Sequence, residues 1–120
     1  MTFKTLAAIS LAASIMLAPA AVASCDYPSR VDIPSGNTAS KDDMIATQKA
    51  VKGYMADMNE YLDCIEAEAK AAETEGEDPD VTAQRAALLL KRHNAAVAEM
   101  QSLADAFNVE VRAYKARTES

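Results

Sequence analysis

The 120-residue chain lacks tryptophan, has a single histidine and has only three glycines, which are widely separated. Isolated glycines do not form a phosphate-binding loop, because that loop needs several glycines within a few residues. The lone His93 has no neighbouring nucleophile with which it could form a Ser-His-Asp or Cys-His pair. We therefore predict a protein that is not an enzyme and has no cofactor.

Basic residues are also scarce, since the chain has 12 lysines and arginines against 18 aspartates and glutamates. An acidic chain is repelled by nucleic acid and by anionic lipid surfaces. Beyond the N-terminal segment, no apolar stretch approaches the roughly 20 residues that a transmembrane helix needs. We expect no nucleic-acid partner, and no membrane association unless a lipid is attached.

The first 23 residues have the pattern of a secretory signal peptide. Lys4 gives a positive start, residues 6–17 are an apolar run, Pro19 ends any helix, and residues 21–23 (Ala-Val-Ala) form a small-x-small cleavage site. The run is too short, and too closely followed by the cleavage site, for a membrane anchor. We expect residues 1–23 to be removed and the mature protein to lie in the periplasm or outside the cell.

Cys25 and Cys64 are the only cysteines of a chain that is predicted to enter an oxidising compartment. The default expectation is one disulfide between them. The alternative is a lipoprotein, because residues 22–25 (Val-Ala-Ser-Cys) loosely resemble a lipobox in which Cys25 would be acylated. The cleaner cut after Ala23 favours the disulfide, as does the fact that acylation would leave Cys64 unpaired.

Residues 41–74 predict the helix around which the chain is organised. Its apolar and small residues follow one another at steps of four and three, which places them on one helical face with the 3.5-residue period of a coiled coil. Ser40, followed three residues later by Asp43, predicts its N-cap. The members of this predicted seam are Met44, Gln48, Val51, Met55, Met58, Leu62, Ile65, Ala69 and Ala72.

A second helix is expected over residues 79–117, where the apolar stripe is about three positions in seven wide, as in helical bundles. The short break around Gly76 forces the two helices antiparallel. We predict an all-α fold: a long antiparallel two-helix hairpin in a single domain of residues 40–120. The stripe consists of Ala86, Leu89, Leu90, His93, Ala96, Val97, Met100, Leu103, Ala104, Phe107, Val111 and Tyr114.

Residues 24–39 form a tail that contains two prolines and no helical period. A Cys25–Cys64 disulfide requires this tail to double back along the first helix. It would then lie over Tyr54 and Tyr61 and bury Tyr27, Val31 or Ile33 against their rings. The alternative is a mobile tail that leaves the tyrosines half exposed.

His93 lies on the apolar stripe and is the one candidate for a metal ligand. With Met55, Met58 and Met100 it would offer the soft ligands that Cu(I) prefers. No compact Met- or His-rich run exists, however, so we expect the methionines to fill gaps in a thin core. Weak copper binding is the alternative; otherwise no metal site is predicted.

Two polar groups are candidates for contact with a partner. The acidic hairpin tip misplaces Gly76 for a calcium loop, which favours a solvated tip over cation binding or docking to a basic partner. Three amides recur every seven residues beside the stripe of the second helix, either as a solvated flank or to receive a peptide or second subunit. The tip residues are Glu73, Glu75, Glu77, Asp78 and Asp80, and the amides are Asn94, Gln101 and Asn108.

Residues 25–28 (Cys-Asp-Tyr-Pro), 49–52 (Lys-Ala-Val-Lys) and 112–115 (Arg-Ala-Tyr-Lys) resemble stretches of small uncharacterised exported helical proteins of Gram-negative bacteria. The resemblance implies a periplasmic location and no particular activity. We expect a non-enzymatic periplasmic protein that acts by protein–protein interaction, with an inhibitor of a basic envelope enzyme as one variant. A two-helix hairpin buries only one face of each helix, so a homodimer in the form of a four-helix bundle is a further expectation.

Overall fold

The computed structural model describes residues 25–119, which form two long helices and an extended tail. Helix α1 spans Lys41–Ala71 and helix α2 spans Pro79–Thr118. They pack against each other antiparallel, with Arg92 of α2 donating a hydrogen bond to the Tyr61 hydroxyl of α1. The described range contains no strand, and neither helix has an apolar stretch sufficient to cross a membrane. The predicted all-α two-helix hairpin is confirmed.

The predicted signal peptide, residues 1–23, lies outside the described residues. The lipobox-like stretch also lies outside them, apart from Cys25. The tail is therefore described from Cys25 onwards, one residue after its predicted start.

Helix α1 begins where the sequence predicts. The Ser40 hydroxyl accepts the Asp43 N–H (3.1 Å), and the Asp43 carboxylate accepts the Ser40 N–H (2.9 Å). This reciprocal pair satisfies amides that a first helical turn leaves without partners. The helix ends at Ala71, three residues before the expected Thr74. The difference arises because the Thr74 carbonyl accepts the Glu77 N–H (3.2 Å) in a turn of its own.

The connection between the helices, residues 72–78, is held by an ion pair to the first turns of α2. Gly76 has a φ of +74°, a left-handed conformation that glycine adopts without steric cost. The Glu77 carboxylate then pairs with both terminal nitrogens of Arg85, one of them at 2.6 Å. This pair lowers the pKa of Glu77, chiefly through the hydrogen bond from Arg85. The short connection is thus fixed to α2.

A disulfide joins Cys25 to Cys64, with the two Cα atoms 5.7 Å apart. Because the tail begins beside Cys64 and ends at the N-cap of α1, it runs antiparallel to that helix. The tail lies along α1 as predicted, and it also makes polar contacts with α2. Arg30 forms an ion pair with Glu99 and a longer contact with the Ser102 hydroxyl (3.4 Å). The tail therefore fills a groove between the two helices, which we call the tail groove.

The tail closes this groove at its far end through Gly36. The Gly36 N–H donates to the Glu110 carboxylate (2.6 Å), and the Gly36 carbonyl accepts from Nε of Arg117 (3.2 Å). Arg117 also donates to the carbonyl of Ala39, just before the N-cap. Val31 and Ile33, between these two ends of the tail, pack against the core.

The tail determines which side of α1 is buried. The predicted seam included Gln48, Met55 and Leu62, but the structure leaves Gln48 exposed and the other two half-buried. The row one position earlier is buried instead, because the tail covers that side of the helix. The buried residues of the helices are Met44, Thr47, Val51, Tyr54, Met58, Tyr61 and Ile65 of α1 with Ala96 and Leu103 of α2.

Candidate interaction surface

The tail meets α1 at a group of three tyrosines. The Tyr27 ring packs edge-on against Tyr61, with ring centroids 5.0 Å apart and an interplanar angle of 75°. The Tyr61 ring also lies under the Arg92 guanidinium, 5.7 Å from its centroid. Tyr54 is only 3% exposed, whereas Tyr27 remains 48% exposed. The tail thus touches the tyrosine row as expected, but Tyr27 covers its neighbours instead of being buried by them.

The environment of Tyr27 and Tyr54 raises the pKa of both hydroxyls. Burial, followed by the negative charge of Glu99, raises the pKa of Tyr27. Burial, followed by the neighbouring Tyr27, raises the pKa of Tyr54. Among residues 25–119 the buried Tyr54 hydroxyl finds no hydrogen-bond partner of normal geometry. A buried hydroxyl without a well-formed hydrogen bond costs folding free energy, so Tyr54 contributes to stability mainly through packing of its ring.

The acidic tip divides into residues with a structural role and residues that face solvent. Glu77 pairs with Arg85, and Asp78 caps α2 by accepting the Asp80 N–H (2.8 Å). Glu73 and Glu75 are exposed. Within residues 25–119, no three His, Cys, Asp or Glu side chains converge where a metal ion could bind.

The possible soft-metal ligands are distributed over both helices. Met58 is fully buried in the core, and His93, Met55 and Met100 are half-buried. Cys64 is oxidised in the disulfide and offers no thiolate. The methionines Met55 and Met100 pack against the core, as gap-filling side chains do.

A second groove lies between the N-terminal part of α1 and the C-terminal part of α2. It has a volume of about 460 Å³, and no residue of the tail is among its lining residues. Lys41 and Lys115 lie at its margins, and Asn108, one of the predicted amides, lies in its wall. Its other lining residues are Met44, Ile45, Gln48, Phe107, Val111 and Tyr114. We call it the open groove.

Comparison with protein-family models, with curated proteins and with solved structures gives no match. The resemblance to exported helical proteins therefore remains an expectation. Function has to be inferred from the surface of the hairpin itself.

The rows of side chains that line the open groove can be followed along both helices toward the tip. Residues seven apart lie two helical turns apart on nearly the same face, so the walls of the groove can be followed by that step. On α1 the row from Gln48 continues to Met55 and Leu62. On α2 the row from Val111 continues through Ala104 and Val97 to Leu90, and the row from Phe107 continues through Met100 to His93. We call these three rows together the open face.

The open face is apolar and incompletely buried. Met55, Leu62 and Val97 are half-buried, while Leu90 is 60% exposed. Ile45, at the edge of the open groove, is 41% exposed. The exposed amides Asn94 and Gln101 flank it. The sequence pattern placed Met55, Leu62, Val97 and Leu90 in the buried seam or stripe and the two amides beside it, but it did not single out Ile45.

Sequence analysis missed the residues that hold the tail. Glu99, Glu110 and Arg117 lie on the side of α2 that faces the tail groove, at spacings of eleven and seven residues. The expected disulfide placed the tail over Tyr54 and Tyr61 of α1, but it gave no indication of which α2 residues the tail contacts.

Proposed function

We propose that this chain is a non-enzymatic protein of the periplasm that acts by binding a helical partner through its open face. One observation carries the proposal: Met55 and Leu62 lie at heptad positions and are only half-buried, although Tyr54 and Tyr61 of the neighbouring row are buried. Apolar side chains at a 3.5-residue period are the positions that an additional helix covers in a bundle. The partner surface is therefore expected to be an amphipathic helix or helix pair.

The difference in how the two grooves are covered supports this function. The tail groove is closed by a disulfide, an ion pair and two hydrogen bonds at Gly36. Within residues 25–119 no disulfide or ion pair closes the open face, and Leu90 on the face and Ile45 at its edge remain exposed. Contiguous exposed apolar surface on a small protein marks an interaction site. The oxidised tail fixes the relative position of the helices and so presents this face in one shape.

Site-specific photo-crosslinking in living cells tests the proposal. A photo-crosslinking residue in place of Leu90 is expected to form a covalent link to a partner, which mass spectrometry then identifies. The same residue in place of Val109, which is 50% exposed and lies outside both grooves, serves as the matched control and is expected to capture little. Equal capture at the two positions, or none at either, would contradict the proposed use of the open face.

Location is tested by the intact mass of the protein recovered from the cell envelope. Periplasmic export through the predicted signal peptide gives a chain that starts near Ser24 and carries one disulfide. A mass increased by acyl chains on Cys25 would instead support the lipid-anchored alternative. That alternative changes the location of the protein but leaves the open face unaltered.

A further inference from the structure

We propose that the helical partner is a second copy of this chain, packed antiparallel on the open face to form a four-helix bundle. This inference rests on the proposed function, because it gives an identity to the partner proposed there. In such a dimer a two-fold axis runs in the interface perpendicular to the helices. Helix α1 then lies on α1 of the second copy and α2 on α2, each pair antiparallel.

The size of the open face matches what a stable dimer buries. Between Lys41 and Glu66 the face is roughly 37 Å long, from ~1.5 Å per residue, and two helices are about 20 Å wide. This gives on the order of 700 Å² for each copy, close to the ~800 Å² per partner of a standard interface. The two tails lie on the outer sides of the bundle, so neither disulfide has to open for the copies to meet.

The distribution of charge selects the antiparallel arrangement. The half of the hairpin near the tip, residues 57–98, carries ten carboxylates and four basic side chains, whereas residues 41–56 and 99–119 together carry six of each. A parallel dimer would place both acidic tips side by side, where like charges repel. An antiparallel dimer places each tip beside the open end of the other copy, whose groove is flanked by Lys41 and Lys115. The antiparallel orientation is favoured in this way, because it faces each acidic half with a half that carries no net charge.

The outer row of α1 gives a specific register. Ile45, Lys52, Asn59 and Glu66 follow one another at steps of seven, beside the row of Met55 and Leu62. A two-fold axis at Asn59 places Lys52 opposite Glu66 of the second copy and repeats that pair at the other end.

On α2 the same axis passes close to Val97. It places Asn94 opposite Gln101 of the second copy, where two amides can exchange hydrogen bonds. This gives the amide row a role at the centre of the interface. The lysine–glutamate pairs and the amide pairs thus agree on one register.

Sedimentation equilibrium of the oxidised protein, purified from the periplasm of a bacterial host that expresses the full chain, tests the inference. We expect a monomer–dimer equilibrium. Leu90→Asp is expected to raise the dimer dissociation constant by about tenfold or more, because it places a charge in an apolar contact. Val109→Asp is the matched control, since it introduces the same charge at an exposed apolar residue away from the face, and it is expected to leave the constant nearly unchanged. Both residues are exposed in the monomer, so helix content by circular dichroism should remain that of the wild type.

A charge exchange tests the register. Lys52→Glu and Glu66→Lys are each expected to weaken the dimer about tenfold, because each creates two like-charged pairs. The double variant is expected to recover most of the wild-type affinity. Failure of this recovery would overturn the antiparallel register.

The outcomes separate this inference from the proposed function. A wild-type protein that stays monomeric up to millimolar concentration overturns the second copy as partner. Crosslinking of a different protein at Leu90 would then still support the proposed function. A dimer that responds to Val109→Asp and not to Leu90→Asp also overturns the inference, because it uses another face.

Discussion

Replacing Gly36 by alanine should detach the end of the tail from α2. A Cβ atom at this position would lie 1.9 Å from the Glu110 carbonyl oxygen and 2.7 Å from the Tyr114 backbone nitrogen. These are backbone atoms of a helix, so they cannot move aside as the end of a side chain can. The turn at Gly36 must move instead, and it then loses its hydrogen bonds to the Glu110 carboxylate and to Arg117.

The size of the effect follows from these losses. A net contribution of about 1–2 kcal/mol for each of two hydrogen bonds to charged groups gives a loss of ~2–4 kcal/mol, in the range of other overpacked sites. Urea denaturation of the oxidised protein measures it as a lower midpoint with little change in slope. In a domain of this size, the melting temperature should fall by roughly 10 °C or more.

Gly53 supplies the control for this prediction. It is exposed in the middle of α1, and a Cβ atom there would meet nothing within 4 Å. Gly53→Ala should therefore stabilise the protein by about 0.5–1 kcal/mol through helix propensity. If Gly36→Ala proved as stable as the wild type, the close approach of the tail to α2 would be refuted.

Three further predictions concern the disulfide, the buried tyrosines and the hairpin tip. Replacing both cysteines by serine should cost about 3–4 kcal/mol, measured by urea denaturation, because the bond closes a loop of about 40 residues; an unchanged midpoint would argue against a tethered tail. The folded state raises the pKa of Tyr27 and Tyr54, so it keeps protons that the unfolded chain releases. The free energy of unfolding should therefore fall as the pH rises above 10. Tyr54→Phe should weaken this loss of stability at alkaline pH, as measured by thermal melts. At neutral pH it should leave stability unchanged or raise it by ~1 kcal/mol, since it removes a hydroxyl without a partner. Arg85 lowers the pKa of Glu77, so this pair contributes to folding stability at neutral pH, and the contribution is lost as the pH falls below the ordinary value of 4.5. Arg85→Ala should abolish that acid dependence and speed proteolysis within residues 72–78.

Local signals in the sequence were sufficient to predict where the two helices begin and end. The alternation of three- and four-residue steps, the Ser40 and Asp43 pair, and Pro79 after Asp78 each act within a few residues of the chain. Such signals depend little on what packs against the helix. The predicted hairpin therefore agrees with the structure to within three residues at the end of α1.

The choice between the two sides of α1 could not be made in this way. The row of Met55 and Leu62 is more apolar than the row of Tyr54 and Tyr61, and periodicity alone favoured the former as the buried seam. The structure buries the tyrosine row, because the disulfide and the polar contacts of the tail hold a third segment against it.

The sequence by itself determined two amphipathic helices, their caps, the short turn that makes them antiparallel, and the pair of cysteines that allows a tether. Only the tertiary structure decided that the tail lies between the helices and which groove remains open. The physical reason is the separation along the chain of the residues that interact. Helix caps and helical periods depend on neighbours within a turn or two. The route of the tail depends instead on contacts between residues about 40 to 80 positions apart, such as Cys25 with Cys64 and Gly36 with Arg117.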